Sequence, residues 1–327
     1  MRLLLWLTMT LAALYGGYWY VGSRAALSGM EAALDGLKAD GVGDYAEVSL
    51  SGFPSRFDIT IDKPRLLSSD GATGWSADFL QLLALSYRPN QVIAVWPKEQ
   101  SIRIAGEPLS IRSDDLRASI ATEPTLSLPL DHAEVEGHRV EVAHAPGLSL
   151  AVDKLILAAR PSGRGQSSYD LAAVLTGLTP GAVLRGLVDP GATLPAAAEE
   201  LRLQAAADFD RRIDKAALAT PPRLRALREI DGHLGWGDMS LDVTGDLAAD
   251  AGGFAEGRIE VKARNWETLF GLVAALGLVP PDQAGQVRNM LAVMAQGSKD
   301  GSLTVPISFG DGMAMIGGAP LGPAPRF

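Results

Sequence analysis

Residues 56–62 read RFDITID, a stretch that alternates strictly between polar and apolar side chains. Phe57, Ile59 and Ile61 occupy every second position, and charged or hydroxylated residues stand between them. Because successive side chains of a β-strand point to opposite faces, this stretch predicts a strand with one apolar and one polar face. Antiparallel sheets commonly have one solvated face, so the stretch favours an antiparallel sheet as the basis of the fold.

The same alternation recurs on both sides of this strand, at intervals of about ten residues. The Gly52-Phe53-Pro54 corner separates it from an expected strand at 45–50. Residues 75–87 fit either a buried strand or a short helix. In the stretch 133–142, Glu136-Gly137 is expected to form a turn between two strands. The pattern predicts a meander, with further strands at 92–96, 101–105, 109–112, 116–121, 148–158, 169–178, 201–209, 239–247, 259–263, 303–309 and 313–316.

Near the C-terminus the spacing of apolar residues changes to three and four, which is typical of amphipathic helices. One such stripe begins at Trp266 and a second begins at Ala284, with Pro280-Pro281 between them. Gly297 follows the second stripe, and glycine commonly ends a helix. These features predict a helical hairpin over residues 266–297.

The N-terminal run Leu3–Val21 carries no charged residue and would span about 28 Å as a helix, close to the hydrocarbon thickness of a bilayer. It predicts a transmembrane anchor over residues 1–24 at the inner membrane, with the body of the chain in the periplasm. The residues expected to anchor the chain are Leu3, Trp6, Leu11, Tyr18, Trp19, Tyr20 and Val21.

A cleaved signal peptide is the rival interpretation of this run. However, the run exceeds the roughly 7–15 apolar residues of a signal-peptide core, and bulky aromatic residues follow it where a small-x-small site would stand. After the anchor, Leu27, Met30, Leu34 and Leu37 recur at helical spacing. They predict a stalk helix over residues 25–41.

The composition excludes several classes of function. The chain has 327 residues, a formal net charge of −9, no cysteine and four histidines. The negative charge disfavours nucleic acid as a partner, and the lack of cysteine excludes thiolate metal sites and cysteine nucleophiles. No phosphate-binding glycine loop, zinc-protease helix or serine nucleophile elbow occurs in the sequence. We therefore expect no catalytic residue, metal ligand or cofactor.

One segment supports an alternative, because three of the four histidines lie between Asp131 and His144, together with four carboxylates. If Glu136-Gly137 turned a hairpin, His132 and His144 would approach each other, as a metal site or an acid–base pair requires. A solvated hairpin explains the same residues, since alanines and valines alternate with them. The segment leaves a metal-dependent hydrolase as a remote alternative.

Several motifs resemble those of a known family. They are Gly52-Phe53-Pro54 with Arg56-Phe57-Asp58, the stretch 86–97 (SYRPNQVIAVWP), and Asp311-Gly312 followed by Gly318, Pro320, Leu321, Gly322 and Pro325. With the N-terminal run, they resemble the domain of unknown function 2125, a family of membrane-anchored Gram-negative envelope proteins, over nearly the whole chain. The order of the C-terminal elements also resembles the AsmA-like group of periplasmic proteins. That second resemblance implies a long curved sheet with a groove, and a role in moving lipids or maintaining the envelope.

These observations predict a β-rich α+β protein in which a long, curved, mostly antiparallel sheet forms a groove. The expected organisation is an anchor (1–24), a stalk helix (25–41), an N-terminal β region (42–180) and a C-terminal AsmA-like β region (196–327). About three helices are too few to cover the apolar face of so many strands, and acyl chains are the obvious apolar partner beside a membrane. We therefore expect lipid or another apolar ligand to bind at Phe57, Ile59 and Ile61. A scaffold for envelope proteins that binds no lipid is the alternative.

Overall fold

The computed structural model describes residues 1–145, 147–275, 277, 279, 282, 284–296, 301–316 and 318–327. A long helix precedes a β-meander, and two further helices interrupt the meander near its end. The helices are α1 (Arg2–Ala39), α2 (Ala182–Val188), α3 (Trp266–Ala275) and α4 (Ala284–Ala295), with a short 3-10 helix at Lys215–Leu218.

Twenty strands form one open sheet in this part of the chain, and each pairs antiparallel with its neighbours. They are β1 (Gly43–Asp44), β2 (Glu47–Ser51), β3 (Arg56–Asp62), β4 (Arg65–Leu67), β5 (Gly74–Ala77), β6 (Phe79–Leu85), β7 (Arg88–Val95), β8 (Glu99–Ile104), β9 (Glu107–Arg112), β10 (Asp115–Thr122), β11 (Leu130–Ala145), β12 (Leu148–Pro161), β13 (Ser168–Pro180), β14 (Ala198–Phe209), β15 (Leu224–Trp236), β16 (Met239–Ala249), β17 (Ala255–Arg264), β18 (Leu303–Gly310), β19 (Met313–Ile316) and β20 (Ala319–Pro323).

The sheet divides into two branches at β11. Residues Leu130–His138 of β11 pair with β10, and residues 141–143 of the same strand pair with β9. The larger branch continues from β10 through β7, β6 and β3 to β2. The smaller branch continues from β9 through β8, β5 and β4 to β1. From β11 to β20, each strand pairs with the next one along the chain.

In each long strand, an apolar residue or glycine lies directly opposite an apolar residue or glycine of the neighbouring strand. Residues that lie directly opposite each other point to the same face of the sheet. One such row crosses the sheet through Leu50, Ile59, Leu82, Ala94, Ala118, Val135, Leu157, Ala173, Leu203, Gly232, Val243, Val261 and Val305. We call this side the apolar face. The adjacent row, on the other side, contains Arg117 opposite Glu136, and also Arg202, His233, Asp242 and Lys262.

Helices cover the two ends of the apolar face. Under α1, the side chains of Phe57, Ile59 and Ile61 are 8%, 8% and 3% exposed, and the ring of Trp19 lies 6.1 Å from that of Phe57. At the far end, α3 and α4 pack over a cluster that includes Leu303 and Val305. Both ends of the apolar face therefore carry buried residues beneath helices.

Hydrogen bonds fix α1 to the larger branch from Tyr15 onward. The hydroxyl of Tyr15 lies 3.0 Å from Ser86 Oγ, and the hydroxyl of Tyr18 donates to the Ser86 carbonyl at 2.7 Å. Trp19 Nε1 donates to the Arg56 carbonyl at 2.9 Å. Since these contacts begin at Tyr15, residues 3–14 extend beyond the sheet, and their large apolar side chains are 56–86% exposed.

The transmembrane anchor predicted over residues 1–24 needs correction. Among the described residues, no helix combines the length and the apolarity needed to cross a membrane. The helix α1 is long, but two threonines, two glycines and three tyrosines within Leu3–Val21 lower the apolarity of the run. Tyr18 and Trp19, which were predicted to anchor the chain in the membrane, instead hold α1 on the sheet together with Tyr15.

Other expectations can be compared with the observed elements. Residues 75–87 form strands, β5 and β6, and the stalk helix is the continuation of α1. The turn predicted at Glu136-Gly137 is wrong, because β11 runs through it without interruption. No strand was predicted at β15, because its pairing shifts between Leu227 and Ile230 and the alternation of its side chains is broken there. The predicted hairpin turn at Pro280-Pro281 and the helix end at Gly297 lie outside the described residues.

A buried carboxylate organises the segment after α2. Asp189 accepts hydrogen bonds from the backbone of Thr193 and Leu194, each at 3.0 Å, and lies 3.1 Å from an Arg185 nitrogen. Burial alone would raise the pKa of Asp189, but the hydrogen bonds and Arg185 outweigh burial and lower it. The segment positions Leu194, which packs beside Trp236 and Met239.

We expect replacement of Gly22 by leucine to separate α1 from the sheet. A Cβ at Gly22 would lie 2.9 Å from the buried Phe57 ring, whereas no atom stands within 4 Å of one at Gly29. Gly29→Leu should raise the free energy of unfolding by about 0.5–1 kcal/mol through helix propensity, and Gly22→Leu should lower it by about 1–3 kcal/mol through overpacking. Chemical denaturation of both variants measures the difference. Equal stabilisation of the two would contradict this packing of α1.

We also expect Asp189 to make the stability of the folded protein depend on pH in the acidic range. A carboxyl whose folded pKa is lowered contributes stability above its unfolded pKa, about 3.9, and that contribution disappears as the pH falls through the folded pKa. Thermal unfolding should therefore show a smaller loss between pH 7 and pH 3 in Asp189→Asn than in the wild type. Asp238→Asn, at an exposed turn, is the control and should keep the wild-type loss. An unchanged acid dependence in Asp189→Asn would contradict the assignment.

Candidate ligand groove

The middle of the apolar face is uncovered. On β10, β12 and β14, the side chains of Ile120, Leu157, Leu201 and Leu203 are 46%, 39%, 36% and 50% exposed. We use the name open strip for the apolar face of strands β10–β14 in the part of each strand that carries these residues. Exposed contiguous apolar surface on a folded protein commonly marks a binding region.

Three adjacent rows of the open strip contain neither charged nor hydrogen-bonding side chains. Within each row, the residue of one strand lies directly opposite the residue of the next strand. The rows are Ile120-Ala133-Ala159-Leu171-Ala205, Ala118-Val135-Leu157-Ala173-Leu203 and Leu116-Gly137-Leu155-Leu175-Leu201. A ligand on this surface would therefore meet only aliphatic groups and could not be oriented there by polar contacts.

The open strip lies between helices that pack on the same face of the sheet, and we call the space above it the groove. Both α1 and the pair α3 and α4 pack on the same face, as their contacts with Phe57 and Val305 show. From β10 to β14 the floor is about 19 Å wide at the usual strand spacing, and eight residues of a strand extend about 27 Å. These dimensions suit an elongated ligand that lies along the strands.

A pair of loops closes one end of the groove. The backbone nitrogen of Ile213 donates to the hydroxyl of Tyr169 at 2.9 Å, and the ring of Tyr169 lies 6.0 Å from that of Phe209. The Leu130 nitrogen donates to the Ile213 carbonyl at 2.8 Å. Tyr169 is only 1% exposed, so the segment around Ile213 covers the apolar face at this end.

The predicted lipid-binding residues lie on the same face but not in the open strip. Phe57, Ile59 and Ile61 are buried beneath α1 and offer no surface to a ligand in this arrangement. The predicted anchor residues Leu3, Trp6, Leu11, Tyr18, Tyr20 and Val21 are 51–86% exposed along α1. Trp19 differs from them, since it packs between the rings of Phe53 and Phe57.

The histidine segment does not assemble a site. Because β11 is continuous, His132 and His144 lie twelve residues apart on one extended strand, or about 40 Å. His144 Nδ1 lies 3.2 Å from the Pro108 carbonyl, and His132 Nδ1 lies 3.1 Å from Asp131. In the described part of the chain, no group of three or more His, Cys, Asp or Glu residues is placed to hold a metal ion.

His132 instead borders a polar cleft of about 660 Å³. Alanines 158, 172 and 206 contribute small side chains to it, and Arg160, Asp170 and Glu229 are among its charged residues. Arg160 and Asp170 lie 3.5 Å apart, and Glu229 pairs with Arg164. These charges are matched to one another, which is typical of a solvated polar face.

Sequence reasoning missed the residues of the open strip as a site. Leu157, Leu201 and Leu203 lay in the strands predicted at 148–158 and 201–209. Their alternation identified an apolar face, but a sequence pattern does not say which part of that face a helix covers. The available signal was that the sequence predicts too few helices to cover so many strands. It indicated that part of the apolar face is uncovered, but it did not indicate which part.

The comparisons with known proteins identify the family of the chain. Neither a curated protein nor a solved structure matches the chain. A family model described as "Uncharacterized protein conserved in bacteria (DUF2125)" matches residues 19–325. That range includes the whole sheet and all but the first part of α1. The chain therefore belongs to the DUF2125 family.

Proposed function

We propose that the protein binds the acyl chains of a lipid, or another elongated apolar ligand, in the groove over β10–β14. The observation that carries this proposal is the exposure of Ile120, Leu157, Leu201 and Leu203 on a floor without polar side chains. Full burial of one such side chain stabilises by about 1.5–3 kcal/mol. Covering four half-exposed ones therefore supplies several kcal/mol toward binding.

The role that we propose is binding, in the service of lipid transport or maintenance of the cell envelope, and not catalysis. The proposed location is the inner membrane, with the β body in the periplasm. The exposed apolar side chains of residues 3–14 support it, since such a surface on one helix is suited to contact with lipid. An AsmA-like relationship belongs to the same proposal and is supported by the long antiparallel sheet and its two C-terminal helices.

A charge on the open strip should abolish lipid binding without unfolding the protein. Leu203 is 50% exposed, so a carboxylate there can reach water when the groove is empty. We expect Leu203→Asp to retain a cooperative melt and to lose the lipid that native mass spectrometry detects with the wild type. Ile104→Asp is the matched control, since Ile104 is a strand residue of the smaller branch with 54% exposure.

A neutral variant covers the case in which Leu203→Asp does not fold. Ala173 stands between Leu157 and Leu203 in the same row, and Ala173→Trp would fill the floor without adding a charge. It should also reduce the bound lipid. Unchanged lipid in a folded Leu203→Asp variant would refute the groove, and a co-purified protein in place of lipid would favour the scaffold alternative.

Substitution by aspartate at Ile59, beneath α1, should affect folding and not only lipid binding. Ile59 is 8% exposed beneath α1, and burying an unpaired carboxylate costs several kcal/mol, a large fraction of the 5–15 kcal/mol that stabilises a typical domain. We expect Ile59→Asp to be insoluble or to lose its cooperative melt. A folded Ile59→Asp protein without lipid would instead place the ligand under α1, as the sequence predicted.

A further inference from the structure

Several connections of the chain meet at the end of the sheet past which α1 extends. They are residues 52–55, 86–87, 123–129 and 210–223. At this end, the last pairs of neighbouring strands are Arg56–Leu85, Gln91–Ala121 and Thr122–Leu130. The fourth connection lies beside the third, because the Lys215 nitrogen donates to the Ser127 carbonyl at 3.1 Å. We call these four connections, together with residues 3–14 of α1, the loop end.

Three of the connections present a large apolar or aromatic side chain to solvent. Leu126 is 92% exposed, Phe53 is 64% exposed and Tyr87 is 62% exposed. The strands that carry them, from β3 to β11, are four strand spacings apart, or about 19 Å. Residues 3–14 add further exposed apolar side chains at the same end. Exposed apolar surface that is gathered in one region commonly marks an interaction site.

Hydrogen bonds and ring packing hold these tips in fixed positions. The Glu123 nitrogen donates to the Pro129 carbonyl at 2.9 Å, and the Leu128 nitrogen donates to the Thr125 carbonyl at 3.2 Å. These bonds close the connection around Leu126. The rings of Phe53 and Trp19 pack edge to face, with their centres 5.1 Å apart. A fixed tip keeps its apolar side chain in water unless a partner covers it.

Unpaired cations stand beside the apolar tips. Arg88 directly follows Tyr87, and Lys215 lies against the connection that carries Leu126. Both cations are exposed, and neither side chain forms a hydrogen bond or ion pair within the part of the chain that the structure describes. Although the whole chain has a net charge of −9, positive charge is therefore available at the loop end.

The acidic residues of the same connections already have partners. Glu123 lies 2.8 Å from Arg212, Asp210 accepts from the Arg223 nitrogen at 2.9 Å, and Asp214 accepts from the Ala216 nitrogen at 2.9 Å. A partner with anionic groups can therefore contact Arg88 and Lys215 without displacing these bonds.

We propose that the loop end docks on the surface of a membrane that contains anionic phospholipids. Leu126, Phe53 and Tyr87 enter the interfacial region, and Arg88 and Lys215 contact the phosphate groups of the lipids. Aromatic rings are favoured at this depth, and cations strengthen binding to anionic lipids. The proposal rests on the membrane location proposed above and extends it, because the β body contacts the lipid together with α1.

A membrane is favoured over a folded partner because the apolar side chains stand on separate tips with cations between them. A fluid surface accommodates separate tips, whereas a folded partner would need a matching cavity for each one. The loop end is also continuous with residues 3–14, whose exposed apolar side chains suit contact with lipid.

The test uses the lack of cysteine in the chain, because a single introduced cysteine can then carry a fluorescent label. Leu126→Cys and Tyr87→Cys are labelled with an environment-sensitive dye in the full-length protein. Ile104→Cys is the matched control, since Ile104 is 54% exposed on the smaller branch, at the other end of the sheet. Each protein is mixed with vesicles of phosphatidylcholine, with or without phosphatidylglycerol.

We expect the labels at positions 126 and 87 to shift to shorter emission wavelengths with vesicles that contain phosphatidylglycerol. Nitroxide-labelled lipid should quench both, and the label at position 104 should show neither change. If the protein sediments with the vesicles while no label responds, α1 makes the contact alone and the proposal is overturned. A shift at position 126 that grows with protein concentration in the absence of vesicles would also overturn it, by assigning the loop end to contact between copies.

A pair of charge variants tests the contacts with the headgroups. Arg88→Gln with Lys215→Gln should bind vesicles that contain phosphatidylglycerol roughly tenfold more weakly in sedimentation, and added salt should reduce the difference from the wild type. The control, Arg65→Gln with Arg103→Gln, removes two exposed arginines from the smaller branch and should match the wild type. Equal loss in both double variants, or no loss in either, would overturn the proposal.

These outcomes are separable from a failure of the groove, because Leu203 lies on the apolar face and not at the loop end. If Leu203→Asp keeps its bound lipid while the labels at 126 and 87 respond to vesicles, the groove is refuted and the docking surface stands. If Leu203→Asp releases lipid while those labels do not respond, the docking surface is refuted and the groove stands.

Discussion

Backbone pairing of neighbouring strands fixes which side chains share a face, and in this protein the pairing keeps aliphatic residues or glycine opposite one another from Leu50 to Val305. A shift of one residue in any pair would move a whole strand's apolar set to solvent. Every helix that covers core must consequently lie on the same side of the sheet. The packing of α1 on Phe57 and of α3 and α4 around Val305 follows from that constraint.

The position of the groove follows from the order of elements along the chain. In a meander, strands that are consecutive in sequence are also neighbours in space, so a helix covers the strands that adjoin it in sequence. Helices encoded at the N-terminus and after β17 therefore cover the two ends of the sheet. The middle strands have only α2, a short helix without buried residues, beside them. Their apolar face stays open because no long helix stands near them in sequence.

The alternation in the sequence was enough to predict an antiparallel sheet with one apolar face and a helical pair near its end. The prediction from the sequence failed at residues whose type fits two different structural roles. Gly137 was interpreted as a turn, yet it lies within β11, where a Cβ would stand 2.6 Å from Val140 and 3.2 Å from Leu116. Tyr18 was interpreted as a membrane-anchor residue, yet it donates a hydrogen bond to the Ser86 carbonyl of the sheet. Each error concerned a tertiary contact that local spacing does not encode.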